Sequence, residues 1–262
     1  MNPVGIIGIP FDEKSSFMRG ASSAPDAIRE VLHDGSSNYL TETGLRLEKD
    51  VHYVDHGNIT VQNYPESIES GLSILQAKQR MVSLGGDHSI AYPIIRSLAK
   101  QYDSLHLLQF DAHTDLYDSF EGDRYSHACP FARILEEGLV RQLTQVGIRT
   151  FPEEQLAIAR AHDVHTITMR NWMEGERPAL QGPLYISLDL DVLDPAYAPG
   201  VSHHEPGGLS PRDILEFLFQ IDVPIVGADI VELNPTRDIH GMTAMVGAKF
   251  LKEIVGKIWA SQ

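Results

Sequence analysis

Cysteine is almost absent from this 262-residue chain, which carries Cys129 and no other. No intrachain disulfide can form, so the fold cannot lean on cross-links, and a reducing compartment fits. No apolar run approaches the length of a membrane span. Positive charge is scarce as well: 21 Lys and Arg face 36 Asp and Glu, for a net charge of −15. Nucleic acid and anionic membranes are poor partners for such a surface, because both need basic patches. Cations, whether metal ions or cationic metabolites, suit it better. Low-complexity tracts, repeats and linkers are also missing, and the hydrophobic content of 42% excludes a disordered chain. The opening Met1-Asn2-Pro3-Val4-Gly5 runs into a strand pattern with no signal-peptide features, so a cytoplasmic protein is expected.

What the chain does have is an alternation of short apolar runs and longer amphipathic stretches. Strands are expected at Val4–Ile9, Val51–Val54, Met81–Leu84, Leu105–Phe110, Gln145–Ile148, Val164–Thr168, Leu184–Leu190 and Pro224–Leu233. Helices are expected at Ala24–Leu32, Pro65–Gln79, Ser89–Lys100, Phe131–Glu137, Pro152–Ala161, Pro211–Gln220 and Thr243–Trp259. Ser23 with Asp26, and Ser210 with Asp213, read as helix caps. Uninterrupted apolar strands alternating with helices predict an α/β fold, a mainly parallel sheet covered by helices, in one domain spanning 1–262. In such sheets ligands bind beyond the carboxyl ends of the strands. Four of the predicted strands end in polar clusters.

After Met81–Leu84 comes Gly85-Gly86-Asp87-His88, a tight turn that delivers a histidine. Taken alone, a histidine such as His88 is more often a structural residue or a support to a ligand than a ligand itself. After Leu105–Phe110 comes Asp111-Ala112-His113-Thr114-Asp115. Alternation in an extended segment sends Asp111, His113 and Asp115 to one side. A hydrogen-bonded surface turn is the plainer alternative. The strand Leu184–Leu190 carries Asp189 and ends against Asp191, again on one side, where unpaired buried carboxylates are costly. An EF-hand is excluded, because the glycine of its loop is missing. His88, Asp111, His113, Asp115, Asp189 and Asp191 together offer mixed imidazole and carboxylate ligands, which suit Mn²⁺, with Fe, Co, Ni or Zn also accommodated. Six ligands are too many for one catalytic ion with open positions and suit a pair about 3.5–4 Å apart that activates water.

With these motifs the sequence resembles the ureohydrolases, the arginases and agmatinases. The resemblance rests on Gly85–His88, Asp111–Asp115 and Ser187–Pro195 in that order, with Gly8–Asp12 and Glu205–Leu209 in addition, and so covers nearly the whole chain. It implies a three-layer α/β/α sandwich around a mostly parallel sheet. It also implies two Mn²⁺ ions, one held by His88, Asp111, Asp115 and Asp189 and the other by Asp111, His113, Asp189 and Asp191. His127, in Tyr125–Pro130, looks like the family's proton shuttle to the leaving amine, a step guanidine hydrolysis needs. Glu232, in Asp229–Pro235, looks like the carboxylate that holds the guanidinium. Asp115 is counted with these two as catalytic, and Asp229 as a group supporting the ligands. A homo-oligomer, trimeric or hexameric, is implied as well.

The substrate reading leans towards agmatine. Arginases follow their Gly-hydrophobic-Arg strand end with acidic residues, whereas Gly147-Ile148-Arg149 is followed here by Thr150-Phe151-Pro152, with no acid before Glu153. Tyr125-Ser126-His127 looks more like agmatinases, although Ala128-Cys129 replaces their Gly-Thr. Asp118, Glu121 and Asp123 offer charges for a distal ammonium, while Arg124, His203 and His204 would favour a carboxylate tail such as that of 4-guanidinobutanoate. Ser202, His203 and His204 depart from the small residues and proline usual in the family. Arginine hydrolysis, a single-metal deacetylase, a dimetal phosphatase and a non-catalytic metal-binding protein are the other readings weighed. The paired ligands of the second cluster oppose the deacetylase, and the absence of a basic phosphate clamp opposes the phosphatase.

Overall fold

The apolar runs become the eight strands of one sheet in a computed structural model that describes residues 1–262. The strands are β1 (Val4–Ile9), β2 (Tyr53–Asn58), β3 (Met81–Gly85), β4 (His106–Phe110), β5 (Gln142–Ile148), β6 (His165–Thr168), β7 (Leu184–Asp189) and β8 (Ile225–Val231). They lie in the order β2-β1-β3-β8-β7-β4-β5-β6, every neighbouring pair parallel. The helices are α1 (Ala24–His33), α2 (Glu66–Gln76), α3 (Ala91–Leu98), α4 (Pro130–Glu136), α5 (Glu153–Ala161), α6 (Met169–Met173), α7 (Pro211–Gln220) and α8 (Met242–Ala260). Even the longest of them, α8, is not apolar enough to cross a membrane.

Both faces of the sheet are buried, which is why its strands lack a polar stripe. On one face, Val82, Leu108, Phe110, Ile186, Ala228 and Ile230 pack with Ile28 of α1, Phe217 of α7 and Phe250 of α8. On the other, Ile7, Ile9, Leu107, Tyr185 and Val226 pack with Leu72 of α2, Ile94 of α3 and Phe131 of α4. Alternation carries this second face upward from Leu107 to Gln109 and from Tyr185 to Ser187, and on β8 a register shift at Val226 brings Gly227 and then Asp229 beside Tyr185 and Ser187. The core thus turns polar on one face of the sheet, just below its carboxyl edge.

Local chemistry explains the element boundaries. Ser210 and Asp213 close a reciprocal capping box, Asp213 N–H donating to Ser210 Oγ at 3.2 Å and Ser210 N–H to Asp213 Oδ2 at 2.8 Å. Ser23 makes no such bond: Ala21–Ser23 form a 3₁₀ turn that leads directly into α1, with Pro25 in the first turn. β2 starts two residues later than expected and runs on to Asn58, because its backbone pairs with β1 out to Gly8. The short helix α6 is not foreseen by periodicity; the Thr168 side chain, which accepts the Asn171 N–H, starts it. At the sheet's carboxyl edge Gly86 N–H donates to Ile9 O at 3.1 Å, and a Cβ there would lie 1.7 Å from Phe11 O. Only glycine allows β1 and the end of β3 to approach so closely beneath the polar cluster.

Candidate metal centre

His88 follows that glycine turn and is completely buried. Its Nε2 lies 3.0 Å from Ser187 Oγ, whose hydroxyl donates to Asp229 Oδ1 at 2.7 Å. Tyr185 OH donates to Asp229 Oδ2 at 2.9 Å. Because the Ser187 proton is committed to Asp229, Ser187 Oγ accepts from His88 Nε2–H, which leaves Nδ1 to face the carboxylates. Burial favours the neutral ring, but Asp111, Asp115 and Asp189 outweigh it and raise its pKa well above the ordinary value, so the metal-free site holds a proton on Nδ1 where an ion would take its lone pair. That Nδ1 lies 3.1 Å from Asp111 Oδ2, 3.0 Å from Asp115 Oδ2 and 3.1 Å from Asp189 Oδ2. It is aligned as a hydrogen bond with none of them. A buried lone pair facing three carboxylates is repulsive unless positive charge lies among them.

A second group adjoins the first. His113 Nδ1 is 3.0 Å from Asp191 Oδ2 and 3.6 Å from Asp111 Oδ1. Ligand atoms of His88, Asp111 and Asp115 all lie within 4.8 Å of one another, and so do those of Asp111, His113 and Asp191. Asp111 belongs to both groups, one oxygen towards each. The electrostatics state the same need for a cation. Burial, with Asp191 and Asp111 alongside, holds the Asp189 carboxyl well above its ordinary range. Burial and the Asp111 charge raise Asp115 to about 6. Two histidines and four aspartates of this kind fit a pair of divalent transition ions.

Above these ligands sit His127 and Glu232. Glu232 Oε1 accepts the His88 backbone N–H at 2.8 Å and lies 2.8 Å from His127 Nδ1. Both bonds fall on one oxygen, leaving Oε2 for a ligand. Burial favours the neutral His127 ring, but the adjacent Glu232 carboxylate outweighs it and raises the pKa to about 9. Ser16 Oγ lies 2.8 Å from Nε2 on the other side. Asp115 and Glu232 both adopt left-handed backbone, at φ 50° and 65°. That conformation is strained for residues other than glycine and clusters at functional sites. His113, Asp115, His127, Asp189, Asp191 and Glu232 line one cavity of about 170 Å³, together with Ser16, Thr150 and His203.

A profile of the arginase family matches residues 2–256. The chain belongs to the arginase family. Arginase 1, mitochondrial, of Arabidopsis thaliana is 42% identical over 97% of this chain and 80% of its own length. The agmatinase of Bacillus anthracis is 33% identical over 96% of this chain and 90% of its own. Among solved structures, an arginase from Medicago truncatula superposes with a TM-score of 0.92 at 38% identity, covering 98% of this chain and 87% of that one. Proclavaminate amidino hydrolase from Streptomyces clavuligerus superposes at 0.86 and 30% identity, covering all of this chain and 93% of that one. This family consists of metal-dependent hydrolases acting on guanidino C–N bonds, and its eight-stranded parallel sheet is the one found here.

Against that family background, the residues expected to meet a substrate tail divide sharply. Asp118 accepts from Arg133 Nη2 at 2.8 Å, Asp123 from Lys14 Nζ at 2.7 Å, and Glu121 points to solvent. None of the three lines the cavity. Arg124 pairs with Glu136 at 2.8 Å, and His204 lies 2.7 Å from Pro199 O. His203 does line the cavity, its ring 5.3 Å from that of His127 and its Nε2 without a partner. Cys129 is buried and its thiol is pushed up to about 12 by burial, which makes it inert. Ser16 has no signal in the sequence, because it lies 111 residues from His127 with no motif around it.

Proposed function

We propose that this chain is a binuclear manganese hydrolase that releases urea from a linear alkylguanidine, L-arginine before agmatine. The observation that carries the reading is the His127–Glu232 pair, 2.8 Å apart, facing the His and Asp cluster across one cavity. His88, Asp111, Asp115 and Asp189 would hold one ion, and Asp111, His113, Asp189 and Asp191 the other. When bound, such a pair neutralises the cluster and acidifies water so that a nucleophile exists near neutral pH. Glu232 Oε2 is free to accept from a planar guanidinium, whose charge a carboxylate pairs in a fixed orientation. His127, charged beside Glu232, holds the proton that the departing amine requires. The cavity of about 170 Å³ has room for a guanidino head.

Support for arginine over agmatine comes from two sides. The 42%-identical relative bears the name arginase, and the 33%-identical one bears the name agmatinase. The loop acids that would have received agmatine's ammonium are engaged by Lys14, Arg124 and Arg133 or point outward. Agmatine stays the second reading on one observation: Thr150 and Phe151 follow Arg149, and Glu153 is paired with Arg160, so no acid is free there for an α-ammonium. A cytoplasmic homo-oligomer, trimer or hexamer, belongs to the same proposal. The test is urea release by the Mn²⁺-loaded protein from arginine, agmatine and 4-guanidinobutanoate, with an EDTA-treated control. The substrate with the highest kcat/KM names the enzyme; no urea from any of them, in protein confirmed to hold two metals, overturns the reading.

A further inference from the structure

Beneath the metal ligands runs a row of buried amides that the reaction itself does not use. Gln109 and Gln145 are both fully buried, on the neighbouring strands β4 and β5. Gln145 Nε2 donates to Thr114 O and to Gln109 Oε1, each at 2.7 Å. Gln109 Nε2 in turn donates to Asp111 Oδ2 at 2.7 Å and to His113 O at 3.3 Å. At the far end, Thr166 Oγ1 on β6 donates to Gln145 Oε1 at 3.1 Å.

The orientation of both amides is forced. Thr114 O and His113 O are acceptors only, so each glutamine must turn its nitrogen towards them. Gln145 therefore presents N–H to Gln109, Gln109 presents oxygen back, and its own N–H reaches Asp111. The dipoles run head to tail from the half-buried Thr166 to the carboxylate, and each polarises the next. The other Asp111 oxygen, Oδ1, accepts the His113 backbone N–H at 2.6 Å. Every oxygen of Asp111 thus has one protein donor, and the carboxylate that belongs to both ligand groups cannot rotate.

We infer that Gln109 and Gln145 are positioning residues for Asp111. The choice of amides over a cation is the chemical point. A lysine or arginine in place of Gln109 would hold Asp111 equally well but would cancel the charge that attracts a divalent ion. Neutral donors fix the carboxylate and leave its charge intact. Groups that orient metal ligands in this way commonly change metal affinity by about 10- to 100-fold when removed.

This inference rests on the metal-binding reading above, and the experiment separates the two. Mn²⁺ binding to the full chain is measured by titration calorimetry for the wild type, Gln109→Leu and Gln145→Leu, alongside the melting temperature of each metal-free protein. Gln109→Leu is expected to raise the Mn²⁺ Kd about 10- to 100-fold. Gln145→Leu, one bond further away, is expected to raise it less but measurably, and both variants, which leave buried acceptors unpaired, are expected to melt a few degrees lower without metal. Unchanged Kd in both variants, or lowered melting temperature with unchanged Kd, overturns the inference. Should Gln109→Leu not fold, Gln145→Leu decides alone, and a wild-type Kd there counts against the inference. A wild type that binds no Mn²⁺ removes the metal centre itself, and the role of the two glutamines with it.

Discussion

His127 Nδ1 lies 2.8 Å from Glu232 Oε1, and the same oxygen accepts the His88 N–H. One carboxylate oxygen thus joins three segments that are far apart in sequence, the β3 turn, the loop before α4 and the end of β8. The bond also sets the charge of His127, since the Glu232 carboxylate is what raises its pKa to about 9 against the burial that would lower it.

The two residues are therefore expected to fail together. His127→Ala should lower kcat about 10²- to 10⁴-fold, the usual contribution of a positioned acid, with a smaller change in KM. Glu232→Gln should raise KM for the guanidinium and also lower kcat, because His127 loses the charge that keeps it protonated. NMR titration of His127 in Glu232→Gln should show its pKa falling from about 9 towards the ordinary imidazole range. In kcat the double variant should be scarcely worse than His127→Ala alone, the KM effect of Glu232→Gln being separate. Additive losses, with an unmoved His127 pKa, would show that the pair does not work as a unit.

How much of this was legible in the sequence follows from what is local. His88, Asp111, His113, Asp115, Asp189 and Asp191 follow strand ends in three short motifs that mark them without knowledge of the fold, but the alternation expected through them does not persist: His88 and Leu190–Val192 lie in 3₁₀ turns and Asp115 is left-handed. The capping box at Ser210 is equally local, four residues that need only one another. Non-local bonds were invisible. Nothing near Ser16 announces that it meets His127, and nothing near Asp123 announces that Lys14 takes its charge. One support of the agmatine reading drew on that charge, whereas the other, Thr150 and Phe151 in place of acids after Arg149, is unaffected. Gln109 carries no local signal, because a glutamine in an apolar strand gains meaning only with its partner on the next strand. The bounds of β2 differ from those expected for a related reason: residues 55–58 carry no apolar side chain, and only pairing with β1 makes them a strand.

Away from the site, Glu42 offers a pH-dependent contribution to stability. It accepts from Arg212 at 2.7 Å and 3.0 Å and lies 3.0 Å from Lys249 Nζ, tying the segment before β2 to α7 and α8. Those bonds lower its pKa from 4.5 to about 2. A depressed carboxylate stabilises the fold above its unfolded value and loses that contribution as pH falls through the folded one. Because the group is one-third exposed, solvent screening limits the effect, and Glu42→Gln should cost no more than about 1 kcal/mol at pH 7. Urea denaturation midpoints of the two proteins should converge between pH 4.5 and about 2. A difference that persists at the acid end would assign it to packing.

The metal-free site should itself be a source of instability. Four buried aspartates face one another around two histidines, and Asp189 is held far above its ordinary pKa by burial and by Asp191 and Asp111. Asp189→Asn keeps an oxygen for the Asp191 N–H, which Asp189 Oδ1 now accepts at 2.8 Å, and removes one of the crowded charges. Without metal the variant should therefore melt higher than the wild type, by the few degrees that about 1–2 kcal/mol produces in a domain of this size. With Mn²⁺ the order should reverse. The wild type gains stability by binding, about 2.7 kcal/mol at a hundredfold excess over Kd, whereas the variant has lost a ligand and gains little. Differential scanning calorimetry with EDTA and with Mn²⁺ reads both halves. A metal-free variant that melts below the wild type would mean that hydrogen bonds alone satisfy the aspartates, and the case for a cation built on their crowding would fail.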